Sequence, residues 1–289
     1  GVQLAGISNI SGNNTVGLSA AGLVNITGDR TQGVIISGLT SIGGDNTSGL
    51  MISGFMNVTG NMASGLHFSG AANITGQSFG GLMASGLLNV VGEHMNGLQM
   101  AGIANITASK LNGVQIALCN YATQARGLQI GLVNYYKEDM KGFQLGLVNA
   151  NPDTRVQMMV YGGNATPANI GVRFKNQLFY TILGIGSMYQ GLNDKFSASA
   201  SYRAGLSFTL YKGLSISGDL GYQHIEAFDN KDEVIPKRLY ALQARANLEY
   251  QFTRKFGIFA TGGYGLTRFY NKSSNYDKGA IIEAGIVLF

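Results

Sequence analysis

Tryptophan is absent from this chain, cysteine occurs once and proline three times. A single cysteine excludes a disulfide framework and any zinc cluster built on cysteines. With 3 prolines beside 43 glycines in 289 residues, the chain is neither collagen nor a Pro/Gly linker. Charge is scarce too. Asp, Glu, Lys and Arg supply 12% of the residues, against roughly 25% in an ordinary globular domain. The net charge of +5 is the excess of 20 Lys and Arg over 15 Asp and Glu, and the basic residues form no cluster, which argues against nucleic-acid binding. No apolar run approaches the ~18 residues of a transmembrane helix. Yet 45% of the residues are hydrophobic. An apolar, glycine-rich, helix-poor chain suggests β-structure, including β-structure closed within a membrane.

The first half is an internal repeat. Glycines recur sixteen residues apart at Gly1, Gly17, Gly33, Gly49, Gly65, Gly81, Gly97 and Gly113, and two shorter units begin at Gly127 and Gly142. A second glycine follows five residues on, from Gly6 to Gly102. A third column runs from Gly12 to Gly92 and ends in Ala108. Sixteen residues are too few for two membrane-spanning strands of roughly 9–11 residues each. They suffice for two short strands and two tight corners. The spacing therefore predicts a narrow β-solenoid over residues 1–152, with glycines at corners that need positive φ or close backbone approach. Ten coils at about 4.8 Å make a rod of roughly 50 Å.

Asn9, Asn25, Asn57, Asn73, Asn89 and Asn105 form one column, with Ser41 as its exception. Most of them also read as N-x-[ST] glycosylation acceptors. A stacked amide ladder explains the column better, because a glycan sits badly in a repeating corner. Apolar columns run through Val2, Leu18, Val34 and Leu50, and through Ile10, Ile26, Ile42 and Val58. The variable outer positions are expected to be Ala5, Ala21, Ser37, Ser53, Ser69, Ser85 and Ala101, with Ile35, Met51, His67 and Met83 beside them. Such a surface is undercharged for a freely solvated rod. It suggests a face covered by a protein partner, by the second domain or by lipid. Cys119 reads as a buried or half-buried free thiol.

From residue 155 the period changes to two. Tyr240, Leu242, Ala244, Ala246, Leu248, Tyr250 and Phe252 oppose Gln243, Arg245, Asn247, Glu249 and Gln251. Residues 196–210 and 214–223 repeat the pattern. Eight strands follow, roughly 155–162, 168–175, 177–188, 195–211, 213–226, 237–252, 256–270 and 278–289. Long alternating strands with aromatic ends predict an antiparallel transmembrane β-barrel over 153–289. An eight-stranded barrel is just filled by side chains. Arg173, Arg203, Asp219, Arg245, Glu249 and Glu283 face inward and are expected to pair, since unpaired buried charge is costly. Phe289 ends the chain on an aromatic, resembling the C-terminal assembly signal of bacterial outer-membrane barrels. Strict alternation puts Phe289 and Glu283 on one face, which requires a bulge or a reversal. Tight turns at 175–177, 211–213 and 253–255 contrast with polar loops at 189–195, 227–237 and 271–278. Short turns face the periplasm, so with eight strands the solenoid is expected to be periplasmic.

Chemistry is hard to find. His67, His94 and His224 lack metal-ligand spacing. His224, Asp219 and nearby serines raise a hydrolase triad only by sequence proximity, which is poor support. The glycine-rich segments lack the following Lys-[Ser/Thr] of a phosphate loop, and Asp229, Asp232 and Glu233 lack calcium-loop spacing. The expectation is a non-enzymatic protein with no cofactor, no metal and no nucleic acid.

The units Gly-Leu-Gln-Ile-Gly-Leu-Val-Asn at 127–134 and Gly-Phe-Gln-Leu-Gly-Leu-Val-Asn at 142–149 resemble the repeats of the "surface repeat-containing" proteins of Bacteroidota and Leptospira. The resemblance covers about residues 1–150, and the C-terminal half is similar in a general way to small outer-membrane barrels. It implies the outer membrane of a diderm bacterium and no settled activity. No signal peptide is present and Gly1 begins mid-pattern, so a leader and some N-terminal coils are expected to have been lost. The resulting expectation is an outer-membrane anchor carrying a rigid interaction module, with partners on the solenoid face or on its open first coil. The module would serve a larger secretion, uptake or barrel-insertion assembly. Alternatives are a surface adhesin or receptor, and a small barrel enzyme.

Overall fold

The computed structural model describes residues 1–189, 192, 196–228, 238–271 and 274–289. Two compact units, Gly1–Pro152 and Asp153–Phe289, divide the chain. The acidic residues Asp229, Asp232 and Glu233, and most of the three long loops, lie outside the described residues.

Unit one is a parallel β-solenoid of seventeen strands, β1–β17, between Val2 and Ala150. Strand β7 (Asn46–Ser53) pairs with β9 (Met62–Ser69) one coil later, with Gly49 opposite Gly65. The first glycine column bends each coil. Its φ angles lie between +106° and +149°, a region that side chains avoid. A Cβ on Gly65 would also fall 2.2 Å from the Gly49 carbonyl oxygen. The second column has no such φ, yet a Cβ on Gly70 would lie 2.0 Å from the Gly54 carbonyl. One glycine is therefore required by conformation and the other by coil-to-coil approach. Towards the end of the rod a corner disappears. Strands β14 (Ala104–Ile116), β15 (Cys119–Ile130) and β16 (Val133–Leu145) run through it. Register shifts at Thr107/Lys110 and Ala122/Gln124 absorb the bend. These are the coils where the repeat shortens.

Unit two is a closed antiparallel barrel of β18 (Arg155–Gly163), β19 (Ala168–Asn176), β20 (Phe179–Ser187), β21 (Ser197–Tyr211), β22 (Leu214–Ala227), β23 (Arg238–Thr253), β24 (Phe256–Phe269) and β25 (Asn275–Leu288). The weakly alternating first strand closes it, with Met158 opposite Leu288. Arg155, the first barrel strand residue, pairs with Lys175 at the tight-turn end. The conflict between Glu283 and Phe289 is resolved without a bulge. Glu283 faces the lumen at 4% exposure, and the ladder ends at Leu288. Phe289 lies beyond the strand, where alternation does not bind it.

Candidate functional surfaces

The columns expected on the outside of the solenoid turn inward. Ala21, Ser37 and Ser53 are buried, as are Ile35, Met51, His67 and Met83. These columns point inward, because they share strand parity with the asparagines across the corner. Asn25, Asn57, Asn73, Asn89 and Asn105 are buried as well, and Asn9 is half-buried. Their amides bond coil to coil. Asn57 donates to Asn73 at 2.8 Å, Asn73 to Asn89 at 2.9 Å and Asn89 to Asn105 at 2.9 Å. Asn9 donates to Asn25 at 3.0 Å. Hydroxyls bridge the gap at Ser41: Asn25 donates to Ser37 at 2.8 Å, Ser37 and Ser41 lie 2.7 Å apart, and Ser53 donates to Asn57 at 2.6 Å. The buried amides leave no room for glycans. A second ladder was missed in the sequence. Gln115 donates to Gln99 at 2.8 Å, Gln129 to Gln115 and Gln144 to Gln129 at 2.9 Å. Its signal was the glutamine two residues after the glycine in successive late units.

His67 stands in this second column, opposite Met51 and Met83 in register. It packs edge-on to Phe79 with ring centroids 4.9 Å apart. Its Nε2 has no hydrogen-bond partner. Burial pushes its pKa down from 6.5 to about 4, so the ring is neutral at pH 7. His94 is exposed on a corner. Cys119, expected to be buried or half-buried, is an exposed free thiol, because its column points outward.

The outward positions carry the hydrophobic residues. They read Val2, Leu4, Ile7 and Ile10 in the first coil, Leu50, Ile52, Phe55 and Val58 in the fourth, and Leu98, Met100, Ile103 and Ile106 in the seventh. Phe55 is 55% exposed and Ile103 52%. Every charged side chain of this unit lies instead in the variable segment, at Asp29, Arg30, Asp45, Glu93, Lys110, Arg126, Lys137, Glu138, Asp139 and Lys141. The coil is thus amphipathic in cross-section. Two four-residue sides over ten coils make an apolar belt on the order of 1,000 Å². Soluble monomers rarely expose more than a few hundred.

Among the described residues the barrel lumen holds four ion pairs, of which Arg203–Glu283 at 3.7 Å is the longest. Arg173 grips Glu249 through two bonds of 2.6 and 3.0 Å. Arg203 grips Asp219 through two of 2.8 Å. Arg245 meets Glu283 at 3.1 and 3.2 Å. Tyr180 and Asn247 also donate to Asp219, at 2.7 and 2.8 Å. A void of about 10 Å³ between Arg173, Arg203 and Asn247 holds at most one water. Cavities of about 440 Å³ beside Lys175 and 260 Å³ beside Gln243 lie on either side. The lumen is a charged plug, which excludes a wide diffusion pore. Asp219 points into this plug while His224, five residues on, points outward. The suggested triad is therefore split across the wall.

Between Tyr240 and Tyr250 the outward side of β23 is Leu242, Ala244, Ala246 and Leu248. Rings cluster at both ends. Tyr240 packs against Tyr222 and Tyr270 with centroids 6.1 and 5.1 Å apart. Tyr250, Phe252 and Phe256 contact one another at the other end. Ten residues of strand tilted about 40° rise about 26 Å, the height of an apolar membrane band.

The sequence matches no described protein family, and no curated protein is similar to it. Among solved structures, the N-terminal β-barrel domain of Pseudomonas aeruginosa OprF is similar, with a TM-score of 0.33 and 16% identity over 46% of this chain and 93% of that one.

Proposed function

We propose that this protein is an outer-membrane β-barrel that anchors a β-solenoid docking module, and that it works as a non-enzymatic subunit of a larger envelope assembly. The observation that carries this reading is the apolar belt on the outside of the solenoid. Its area is on the order of the ~800 Å² per partner of a stable protein interface, and it is rigid, since every coil is fixed to its neighbours. Membrane residence is supported by the uncharged outward strip between two aromatic girdles. The periplasm is the side that suits the solenoid, because Arg155 enters the barrel at the tight-turn end. The paired charges of the lumen suit an anchor better than a channel.

Phe55→Glu with Leu87→Glu places two charges on the belt at corners where both side chains are about half exposed, at 55% and 49%. After gentle extraction at native abundance, the unaltered protein is expected to migrate with a partner. The double variant is expected to lose at least about 90% of that complex and to keep a folded barrel. A lone monomer in the unaltered protein would refute the docking role.

A further inference from the structure

One interior column of the solenoid reads Met51, His67 and Met83 in successive coils, then Gln99, Gln115, Gln129 and Gln144. Parallel register sets Met51 and Met83 opposite His67, one coil before it and one after. The coils lie about 4.8 Å apart. Met51 and His67 are 1% exposed and Met83 0%.

Elsewhere this column satisfies its polar groups. Gln115 donates to Gln99 and to Thr107, and Thr107 donates across the coil to Gln99 at 3.0 Å. His67 and Thr75 hold the same two places two coils earlier. There the arrangement fails. His67 Nε2 and the Thr75 hydroxyl are both buried without a hydrogen-bond partner. Unpaired buried polar atoms are costly, and native proteins keep few of them. The ladder solution is closed to His67, because no second histidine stands in its column.

What flanks the imidazole is soft. Two thioethers stand beside it in register, and each can swing its sulfur on three rotatable bonds. The ring is neutral at pH 7, so one of its nitrogens offers a lone pair. The column holds no carboxylate and no thiolate, so a divalent charge would be uncompensated there. Zinc sites draw on thiolate, imidazole and carboxylate, whereas thioether sulfur selects copper(I). Among the described residues no group of three His, Cys, Asp or Glu side chains could hold a metal, so this donor set exists only through its sulfurs. Its ligands lie sixteen residues to either side of the histidine, a spacing that only stacked coils bring together.

We propose that Met51, His67 and Met83 form a buried copper(I) site, with His67 Nε2 and the two thioether sulfurs as ligands. The ion ties three consecutive coils together. The site lies within unit one and is independent of the docking role.

Silver(I) is the probe, because it shares the soft ligand preference and needs no reductant. Cys119→Ala is the background, since an exposed thiol would take the ion. The full-length protein is unfolded in urea and refolded into detergent micelles with silver(I), so that the ion meets the column before it closes. One equivalent is expected to bind, and excess zinc(II) is expected not to displace it. With free silver(I) at about ten times its dissociation constant, hydrogen exchange over residues 62–69 should slow about 10-fold. His67→Gln installs the residue that the later coils carry, and should weaken binding on the order of 100-fold. Met51→Leu with Met83→Leu conserves volume and should weaken it comparably; this pair decides if His67→Gln does not refold. Binding as tight in either variant as in the background would put the ion on other methionines and overturn the site. Failure to bind silver(I), or its displacement by zinc(II), would overturn it too.

Discussion

Replacing Glu249 with leucine is expected to destabilise the barrel by about 3–5 kcal/mol, and adding Arg173→Met is expected to recover most of that loss. Arg173 is 4% exposed and Glu249 6%, and their two bonds cross from β19 to β23. Removing the carboxylate alone leaves a buried guanidinium without its counter-ion, at the inner end of the 440 Å³ cavity that Glu249 lines. Its solvation is then supplied chiefly by Gln157, to which Arg173 Nε donates at 2.7 Å. Removing both charges leaves two apolar side chains of similar volume, for which the desolvation penalty vanishes. The urea midpoint in vesicles, followed by the mobility difference between folded and unfolded barrel, measures both variants. A single variant within about 1 kcal/mol of the unaltered protein would show that the lumen is hydrated and that the plug is no plug.

The second large effect is a pH dependence at His67. In the folded solenoid its pKa is about 4, against 6.5 when exposed. The unfolded chain therefore takes up a proton first as pH falls. Stability contributed by the neutral ring is complete above pH 6.5, declines between 6.5 and 4, and is fully lost below 4. The difference amounts to about 3 kcal/mol at the bottom of that window. His67→Met matches the methionines on either side of it in the column. The variant is expected to remove the decline without lowering stability at pH 7, because Nε2 has no partner to lose. Hydrogen exchange over residues 62–69 in the full-length protein, corrected for intrinsic rates, reads this directly. Protection in the unaltered protein relative to His67→Met should drop on the order of 100-fold from pH 7 to 4. Equal pH profiles would mean that the ring is solvated.

The period of sixteen and the period of two made both architectures legible, since they fix which residues stack and which alternate. The faces of the solenoid were misread for a physical reason. In a wide fold the apolar columns go inside, but a coil this narrow encloses only a few side chains. Asn, Gln, Ser and Thr fill much of it by bonding to their own copies one coil away, with Phe79, Met83, Met95 and Leu111 packed beside them, and most Leu, Ile and Val lie on the exterior. The correction was already implicit: if Asn9 points inward, strand alternation sends Ile10 out. In the barrel, parity identified the six lumen charges but not their partners. Arg173 and Glu249 are four strands apart in sequence order, and only closure of the barrel brings them together.

The proposal tested most directly is that the barrel spans the outer membrane and that the solenoid meets its partner in the periplasm. Cys119, exposed on an outward column, tests it without any added reporter. Cells carrying the protein are treated with a membrane-impermeant thiol reagent while intact, and the purified protein is treated in parallel. Asn275→Cys in a Cys119→Ala background marks the loop end of the barrel. The account predicts labelling at 275 in intact cells, none at 119 in intact cells, and full labelling at 119 in purified protein. Labelling of Cys119 in intact cells would place the solenoid outside and contradict it.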